Sequence, residues 1–284
     1  MKVVGMVINL DKLLPDSGLV HGIVQWLEER GCTLLIEEGT AVAVGLPRLG
    51  VSEEVFLARA QWVIVLGGDG TLLQSTRQLA QAVKPVIGIN LGRLGFLTEV
   101  DIPEVFPALE RVLAGDFRIE ERMMLEALVY RDGQVVEQAF GLNEAAITSD
   151  AYVRLFYLEA YVNDEYVHTY PANGLIIASP TGSTAYSLSA GGPLITPELN
   201  LMLITPVCPH SLWSRPLVVS PESTVRVKFL TTGQEEVMVT MDGQYGFPLL
   251  PTDEVLVRQA VPKARFIRFR ERGFFDLLRK KLRE

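Results

Sequence analysis

Apolar and polar positions follow two different rhythms along the chain, and the change comes near Asp116. Before it, short apolar runs alternate with stretches of helical periodicity. Val3–Leu10 reads as a first strand. From Ser17 to Arg30, Leu19, Val20, Ile23, Val24 and Leu27 recur at helical spacing, and Gly31 stops the pattern. Thr33–Ile36 reads as a second strand, and Ser52 can cap a helix running to about Arg59. Trp62–Leu66 is almost wholly apolar, as expected of a strand buried on both faces. A helix with Leu72, Leu79 and Ala80 on one side follows it, then a strand at Pro85–Ile89. Asp101-Ile102-Pro103-Glu104 has the spacing of a capping box and opens a helix closed by Gly115. This β-α-β-α order predicts a parallel sheet covered by helices.

From Phe117 to about Gln259 the period shortens to two and no long helix is expected. Asp132-Gly133 lies between Leu125–Tyr130 and Val135–Phe140, a hairpin signal. Asn163-Asp164 separates Leu155–Val162 from Glu165–Thr169. Thr231-Thr232-Gly233 lies between Val225–Leu230 and Glu236–Met241, which reads as a further hairpin. Arg265–Phe269 reads as a strand. Gly273 to Glu284 forms an amphipathic helix with Phe274, Leu277, Leu278 and Leu282 on its apolar side. A lone terminal helix must bury that face, and the expected place is the α/β part. The predicted architecture is therefore an α/β domain of residues 1–116 rejoined by 265–284, and an all-β, sandwich-like domain of residues 117–264.

Composition narrows the function. At 284 residues and 48% hydrophobic, the chain is long enough for one large or two ordinary domains with sizeable cores. A net charge of −8 argues against electrostatic binding to nucleic acid. The two cysteines, Cys32 and Cys208, indicate neither a disulfide framework nor a zinc site. His21, His168 and His210 are scattered. No apolar run approaches membrane-spanning length, and the expected location is the cytoplasm.

Three polar clusters carry the candidate chemistry. Gly67-Gly68-Asp69-Gly70-Thr71 falls between a buried strand and a helix. Such a turn can bring backbone N–H groups and the positive end of a helix against a phosphate. An aspartate there repels the anion, and makes sense if it meets a hydroxyl or a metal beside the phosphate, as in phosphoryl transfer to an alcohol. The alternative is a tight turn with glycines at positive φ and Asp as a local cap. Asn90-Leu91-Gly92-Arg93-Leu94-Gly95 follows the next strand, so both glycine turns should share one rim of the sheet. Arg93 either meets a phosphate or is solvated. The third cluster follows the apolar run Leu175–Ala178, with six Ser or Thr residues among positions 179–189. Its hydroxyls suit phosphate and ribose oxygens, and Tyr186 offers a face to a nucleobase. Asn143-Glu144 is a polar pair between apolar neighbours. It suits an adenine edge and ribose hydroxyls, or else a solvated strand bend. Met241-Asp242-Gly243-Gln244 reads by itself as a hairpin turn.

Taken together, these pieces resemble the NAD kinase family. The matching residues are Gly67–Thr71, Asn90–Leu97, Leu142-Asn143-Glu144, Pro180–Ser187, Gly191-Gly192-Pro193 and Asp242-Gly243-Gln244, in the family's order over nearly the whole chain. The glycine–aspartate turn is shared with lipid kinases. The resemblance implies phosphorylation of the 2′-hydroxyl of the NAD adenosine ribose by ATP or polyphosphate. Asp69 would be the catalytic residue, Gly67, Gly68, Gly70 and Thr71 would hold donor phosphates, and Mg²⁺ would be carried largely by the nucleotide. It further implies dinucleotide contacts from Asn143, Glu144, Arg154, Asn173, Thr181, Thr184, Ala185, Tyr186, Ser187, Ser189 and Gln244, and a homodimer or homotetramer. Asn173 stands where the family usually has Asp. The rival readings are a diacylglycerol-type lipid kinase and a non-catalytic dinucleotide-binding regulator.

Overall fold

The computed structural model describes residues 2–13, 18–92, 95–149, 156–211, 214–230, 236–269 and 273–281. The chain divides into two compact units, residues 1–121 with 264–284, and residues 122–263.

The first unit alternates strands and helices. In order these are β1 (Val3–Ile8), α1 (Leu19–Glu29), β2 (Thr33–Glu37), α2 (Glu38–Ala43), β3 (Gly50–Val51), α3 (Glu53–Arg59), β4 (Trp62–Gly67), α4 (Asp69–Gln81), β5 (Val86–Asn90), β6 (Val100–Asp101), α5 (Val105–Ala114) and β7 (Arg118–Arg122). The second unit supplies β8 to β19, and the chain then returns with β20 (Ala264–Arg268) and α7 (Phe274–Lys281). The first sheet has the order β3-β2-β1-β4-β5-β20-β7, with β6 on β5. β1, β4 and β5 lie side by side and parallel, Ile8 opposite Leu66 and Gly67 opposite Asn90, so the turns leaving them open on one rim. All six residues of β4 are buried, as a central parallel strand requires. Leu72, Leu79 and Ala80 of α4 are buried.

Several local expectations hold. Ser52 Oγ accepts the Val55 N–H at the start of α3. Gly31 and Gly115 take positive φ just beyond α1 and α5, the left-handed stop that glycine allows at least cost. Others do not. Asp101 caps nothing with its side chain: Oδ1 accepts from Asn90 Nδ2, and a 3-10 turn at Ile102–Glu104 leads into α5. β7 belongs to the first sheet, beyond the 116/117 boundary. It is an edge strand whose side chains are mostly exposed, so hydrophobic alternation carries no information about which sheet it joins. The six-residue helix α2 has no counterpart in the sequence reading. In α7 no residue is fully buried and Phe275 is exposed; the ring of Phe274 lies 6.3 Å from that of Phe96, both in this unit. Leu282 falls outside the described residues.

The second unit is a pair of six-stranded sheets. One comprises β10 (Glu144–Ser149), β13 (Gly174–Ala178), β14 (Met202–Val207), β15 (Leu217–Val219), β17 (Val237–Met241) and β18 (Tyr245–Leu249). The other comprises β8 (Leu125–Arg131), β9 (Gln134–Gly141), β11 (Phe156–Val162), β12 (Glu165–Ala172), β16 (Val225–Leu230) and β19 (Glu254–Gln259). Ile147, Leu175, Ile177 and Ile204 of the first sheet share one core with Leu125, Leu158, Val227 and Val257 of the second, which makes the unit a sandwich. Asp132-Gly133 and Asn163-Asp164 turn their hairpins with both central residues at positive φ, the geometry that matches strand twist. The expected hairpin of Val225–Leu230 with the following strand does not form. β16 and β17 belong to different sheets; residues 231–235 between them lie outside the described residues. A period of two identifies a strand without naming its partner. The helix Tyr186–Ser189 is α6.

Among the described residues no helix is long and apolar enough to cross a membrane.

One ion pair anchors the loop that follows β5. Arg268 of β20 donates through Nη1 to Glu99 Oε2 and to the Leu97 carbonyl, both at 2.9 Å, and the Phe269 N–H donates to Glu99 Oε1 at 2.7 Å. Both charged side chains are more than nine-tenths buried. Arg268 Nε also meets Glu120 Oε2 at 3.4 Å, so removing Glu99 takes away the closer of its two carboxylates and leaves a buried charge poorly compensated. Glu99→Ala should therefore lose about 3–5 kcal/mol in urea unfolding, and the double replacement Glu99→Leu/Arg268→Met should recover most of it. A single variant within about 1 kcal/mol of wild type would remove the pair from the stability of this loop.

Candidate functional site

β4 delivers the chain to Gly67 at the rim of the first sheet, and α4 begins two residues later with no side chain capping it at Gly68. Asp69 therefore stands in the first turn of a 13-residue helix, where the backbone leaves N–H groups without helical partners. Its carboxylate is gripped by the second glycine turn. The Phe96 N–H donates to Oδ2 at 2.7 Å, and the Leu97 and Thr98 N–H groups donate to Oδ1 at 3.0 and 3.3 Å. A Cβ on Gly95 would overlap this carboxylate, so only glycine lets the loop approach it. Oδ2 accepts one of these bonds and, being half-buried, keeps acceptor capacity for an incoming hydroxyl.

Two asparagines brace the turns. Asn9, at the end of β1, takes the Leu66 carbonyl with its N–H and donates from Nδ2 to Thr71 Oγ1 at 2.9 Å. Asn90 accepts the Gly92 N–H and donates to the Gly92 carbonyl and to Asp101. A cleft of about 540 Å³ opens beside Asn9 and Thr71.

The second unit carries its own polar centre. Asp242 and Gly243 turn the β17–β18 hairpin with φ of 54° and 63°. The Asp242 carboxylate accepts the N–H groups of Leu142 at 2.9 Å, Asn143 at 2.7 Å and Glu144 at 3.1 Å. The Asn143 carbonyl accepts the Ser179 N–H, and a Cβ on Gly182 would overlap that same carbonyl, so the 3-10 turn Thr181–Thr184 closes directly onto Asn143. Glu144 pairs with Ala178 across β10 and β13 and is 5% exposed. Its Oε2 finds no partner among the described residues. Burial, reinforced by the nearby Asp242 charge and opposed by the Tyr186 backbone N–H, raises the Glu144 carboxyl to about 8. The Tyr186 ring is 40% exposed beside it.

The fold thus gathers Gly67, Gly68, Asp69, Gly70 and Thr71 in the first unit. In the second it gathers Asn143, Glu144, Thr181, Thr184, Ala185 and Tyr186, with Gln244 exposed in the turn that Asp242 begins. Four hydroxyls of the 179–189 segment bond within the protein: Ser179 to the Leu142 carbonyl, Ser183 to the Pro180 carbonyl, Thr184 to the Thr181 carbonyl and Ser187 with Thr205. Ser187 is fully buried, and Ser189 is exposed. Asn173 is exposed at the far end of β13, five residues before Ala178 and so roughly 17 Å away at ~3.4 Å per residue. Arg93, Leu94 and Arg154 lie outside the described residues.

Sequence reasoning missed Asn9, the Glu99–Arg268 pair and the bracing role of Asp242. Only Asp242 had a local signal, its Asp-Gly turn; the others act through partners distant in sequence.

Comparison with known proteins places the whole chain. The ATP-NAD kinase N-terminal domain matches residues 4–117, and the ATP-NAD kinase C-terminal domain matches residues 142–269. An NAD kinase of Desulforamulus reducens is 48% identical over all of this chain and 98% of its own length. One from Moorella thermoacetica is 48% identical over all of this chain and 90% of its own. Two crystal structures share the fold. Yeast NADH kinase complexed with NADH has a TM-score of 0.85 at 24% identity, covering 99% of this chain and 87% of that one. An NAD kinase from Archaeoglobus fulgidus in complex with ATP has a TM-score of 0.74 at 23% identity, covering 99% and 98%.

The raised Glu144 carboxyl makes stability depend on pH. In the unfolded chain it ionises in the ordinary carboxylate range, while in the fold it holds its proton to about 8. Its contribution is complete below the ordinary range and disappears as pH rises through about 8. Relative to Glu144→Gln, the wild type should lose a few kcal/mol between about pH 5 and about pH 8. A flat difference between the two proteins in urea unfolding across that window would show that Glu144 ionises freely.

Proposed function

Because the chain belongs to the NAD kinase family, whose members phosphorylate NAD to NADP, we infer a specific division of labour between its two units. The first unit holds the phosphoryl donor, ATP, and the catalytic residue Asp69; the second holds the dinucleotide. The observation that carries this reading is the Asp69 carboxylate, fixed by three backbone N–H groups at the start of α4 on the rim of a parallel sheet.

A carboxylate so held loses little freedom when a hydroxyl arrives, and placement supplies much of the rate in a loose phosphoryl transfer. Asp69 Oδ2 takes the hydrogen bond of the ribose 2′-hydroxyl and accepts its proton. The O2′–P bond forms as the bond from the terminal phosphorus to its bridging oxygen breaks, and the electron pair leaves with ADP. Gly67, Gly68, Gly70 and Thr71 offer backbone to the phosphates, where the α4 dipole favours negative charge.

In the second unit Asn143 faces the adenine edge, and the unpartnered Glu144 Oε2 accepts from ribose hydroxyls. Thr181, Thr184, Ala185, Tyr186, Ser187, Ser189 and Gln244 complete the dinucleotide contacts, with Asn173 and Arg154 assigned by position in the family pattern. The family reading has Mg²⁺ carried to the site by the triphosphate. When bound, the ion neutralises phosphate charge. The reading extends to a cytoplasmic homodimer or homotetramer. A lipid kinase would leave the Asn143–Glu144 and Thr181–Tyr186 centre without a task, and a non-catalytic regulator would leave Asp69 without one; the comparisons support neither.

Purified protein given NAD, ATP and Mg²⁺ should produce NADP, read by an NADP-specific dehydrogenase. Asp69→Asn should keep NAD affinity within about twofold and lose turnover by a factor on the order of 10² or more. Turnover close to wild type in that variant would take Asp69 out of the mechanism.

A further inference from the structure

The Glu99–Arg268 pair is not built as a pair for stability alone would be. Arg268 Nη1 divides between Glu99 Oε2 and the Leu97 carbonyl, both at 2.9 Å, and Nε meets Glu120 Oε2 at 3.4 Å. Nη2 is buried and finds no partner among the described residues. Apolar residues of the same volume would avoid the desolvation of two charges, and with it the unpaired donor. The pair therefore has a use that packing does not supply, and the Leu97 carbonyl is where it acts.

That carbonyl belongs to the same peptide group as the Thr98 N–H. The Thr98 N–H makes the longest of the three bonds to Asp69, 3.3 Å to Oδ1, against 2.7 and 3.0 Å from Phe96 and Leu97. A cation on the oxygen of a peptide group polarises it and makes its N–H a stronger donor. The contacts run in one line from the guanidinium through the Leu97 carbonyl and the Thr98 N–H to Asp69. The line starts from rigid ground. Phe266 of β20 lies opposite Val86 of β5, the Glu99 N–H donates to the Gly88 carbonyl of β5 at 2.9 Å, and the Phe269 N–H donates to the other Glu99 oxygen at 2.7 Å.

We propose that Arg268, held by Glu99, is a positioning residue for the phosphoryl transfer: it orients and strengthens the Thr98 N–H grip on Asp69, so that Oδ1 is locked and Oδ2 faces the incoming hydroxyl. The proposal rests on the NAD kinase reading and adds to it a residue that stands one peptide group behind the carboxylate and acts only through it. What the site requires is charge and direction at the Leu97 carbonyl. An apolar pair that satisfies the fold does not satisfy this requirement, so stability and turnover separate.

Initial rates of Glu99→Leu/Arg268→Met, the variant expected to keep most of its stability, test the assignment. Its kcat should fall about tenfold or more, with the KM for NAD and for ATP each within about twofold of wild type. Arg268→Lys should recover most of that kcat, since one nitrogen serves both the Leu97 and the Glu99 contacts. In an Asp69→Asn background the double replacement should cost less than about twofold further, because the contact it acts through has already changed. Exchange of the Thr98 amide hydrogen should quicken about tenfold or more in the double variant, while the Leu142, Asn143 and Glu144 amides stay as they were. A folded double variant with wild-type kcat, a loss carried by KM instead of kcat, or an equal loss in the Asp69→Asn background would each overturn the role of Arg268. Should the double variant not fold, Glu99→Gln, which keeps the shape and removes the charge, is read by the same rates: lower kcat at unchanged KM supports the role, and wild-type kcat overturns it. If the wild type made no NADP, the NAD kinase reading itself would fall. Thr98 exchange would still decide the positioning: faster exchange in the variant supports it, and unchanged exchange overturns it.

Discussion

The carboxylate of Asp69, bonded to the backbone N–H groups of Phe96, Leu97 and Thr98, is the contact on which the first unit's site depends. It joins two loops that leave adjacent parallel strands and that are otherwise tied by the Leu91 N–H bond to the Gly67 carbonyl at their roots. A charge-assisted bond to a backbone N–H is stronger than a neutral one and has a definite direction, so three of them fix the plane of the carboxylate as well as its position. Gly95 permits the approach, and Arg268 and Glu99 hold the far side of the same loop through the Leu97 carbonyl. The chain must travel to its far end to supply Arg268. That gives a physical reason for β20 to lie beside β5 in the first sheet.

The second unit solves a similar problem by the same means. Asp242 collects the N–H groups of Leu142, Asn143 and Glu144 as Asp69 collects those of residues 96–98. In both places an aspartate on one turn orders the backbone of another, and neighbouring side chains are aimed as a consequence. The difference lies in what remains over. Asp69 retains acceptor capacity at a half-buried oxygen. Asp242 accepts the same number of N–H bonds but is buried, and its charge falls on Glu144, which burial has already pushed toward its neutral form. The proposed function has one aspartate act; the other sets the electrostatics of a neighbour.

How much of this was legible depended on whether the cause was local. β4, α4 and the Asp132-Gly133 hairpin could be read because a buried apolar run, a helical period and a type I′ dipeptide each act over a few residues. The placement of β7 could not, since its exposed alternation suits either sheet, nor could the separation of β16 from β17, since partner choice is decided by packing between sheets. The site divides in the same way. Asp69 among its glycines and Glu144 beside Asn143 stand out by composition. The three N–H groups that grip Asp69, the Asn9–Thr71 bond and the burial of Ser187 against Thr205 arise from residues tens of positions apart. The segment 179–189 is the instructive case. Its hydroxyls were visible, but several serve the turn's own backbone, and a Ser or Thr looks the same in sequence whether it bonds inward or outward.

A chain with a net charge of −8 must still handle phosphate-bearing substrates. In the proposed function, backbone dipoles take the place of side-chain cations. The positive end of the α4 dipole lies at the rim, where it favours phosphate charge. This arrangement also resolves the conflict raised by an aspartate inside a phosphate-binding turn. The negative charge of Asp69 would oppose the donor phosphates if it were bare. Three N–H donors spread it into the 96–98 backbone, so the phosphate meets a weakened field while the hydroxyl still meets an oriented acceptor. Replacing those donors with a lysine would neutralise Asp69 too, but would give up the fixed direction that the reaction needs. In the proposed function the glycine turns therefore do two things at once: they open the backbone to the phosphates and they temper the carboxylate placed among them.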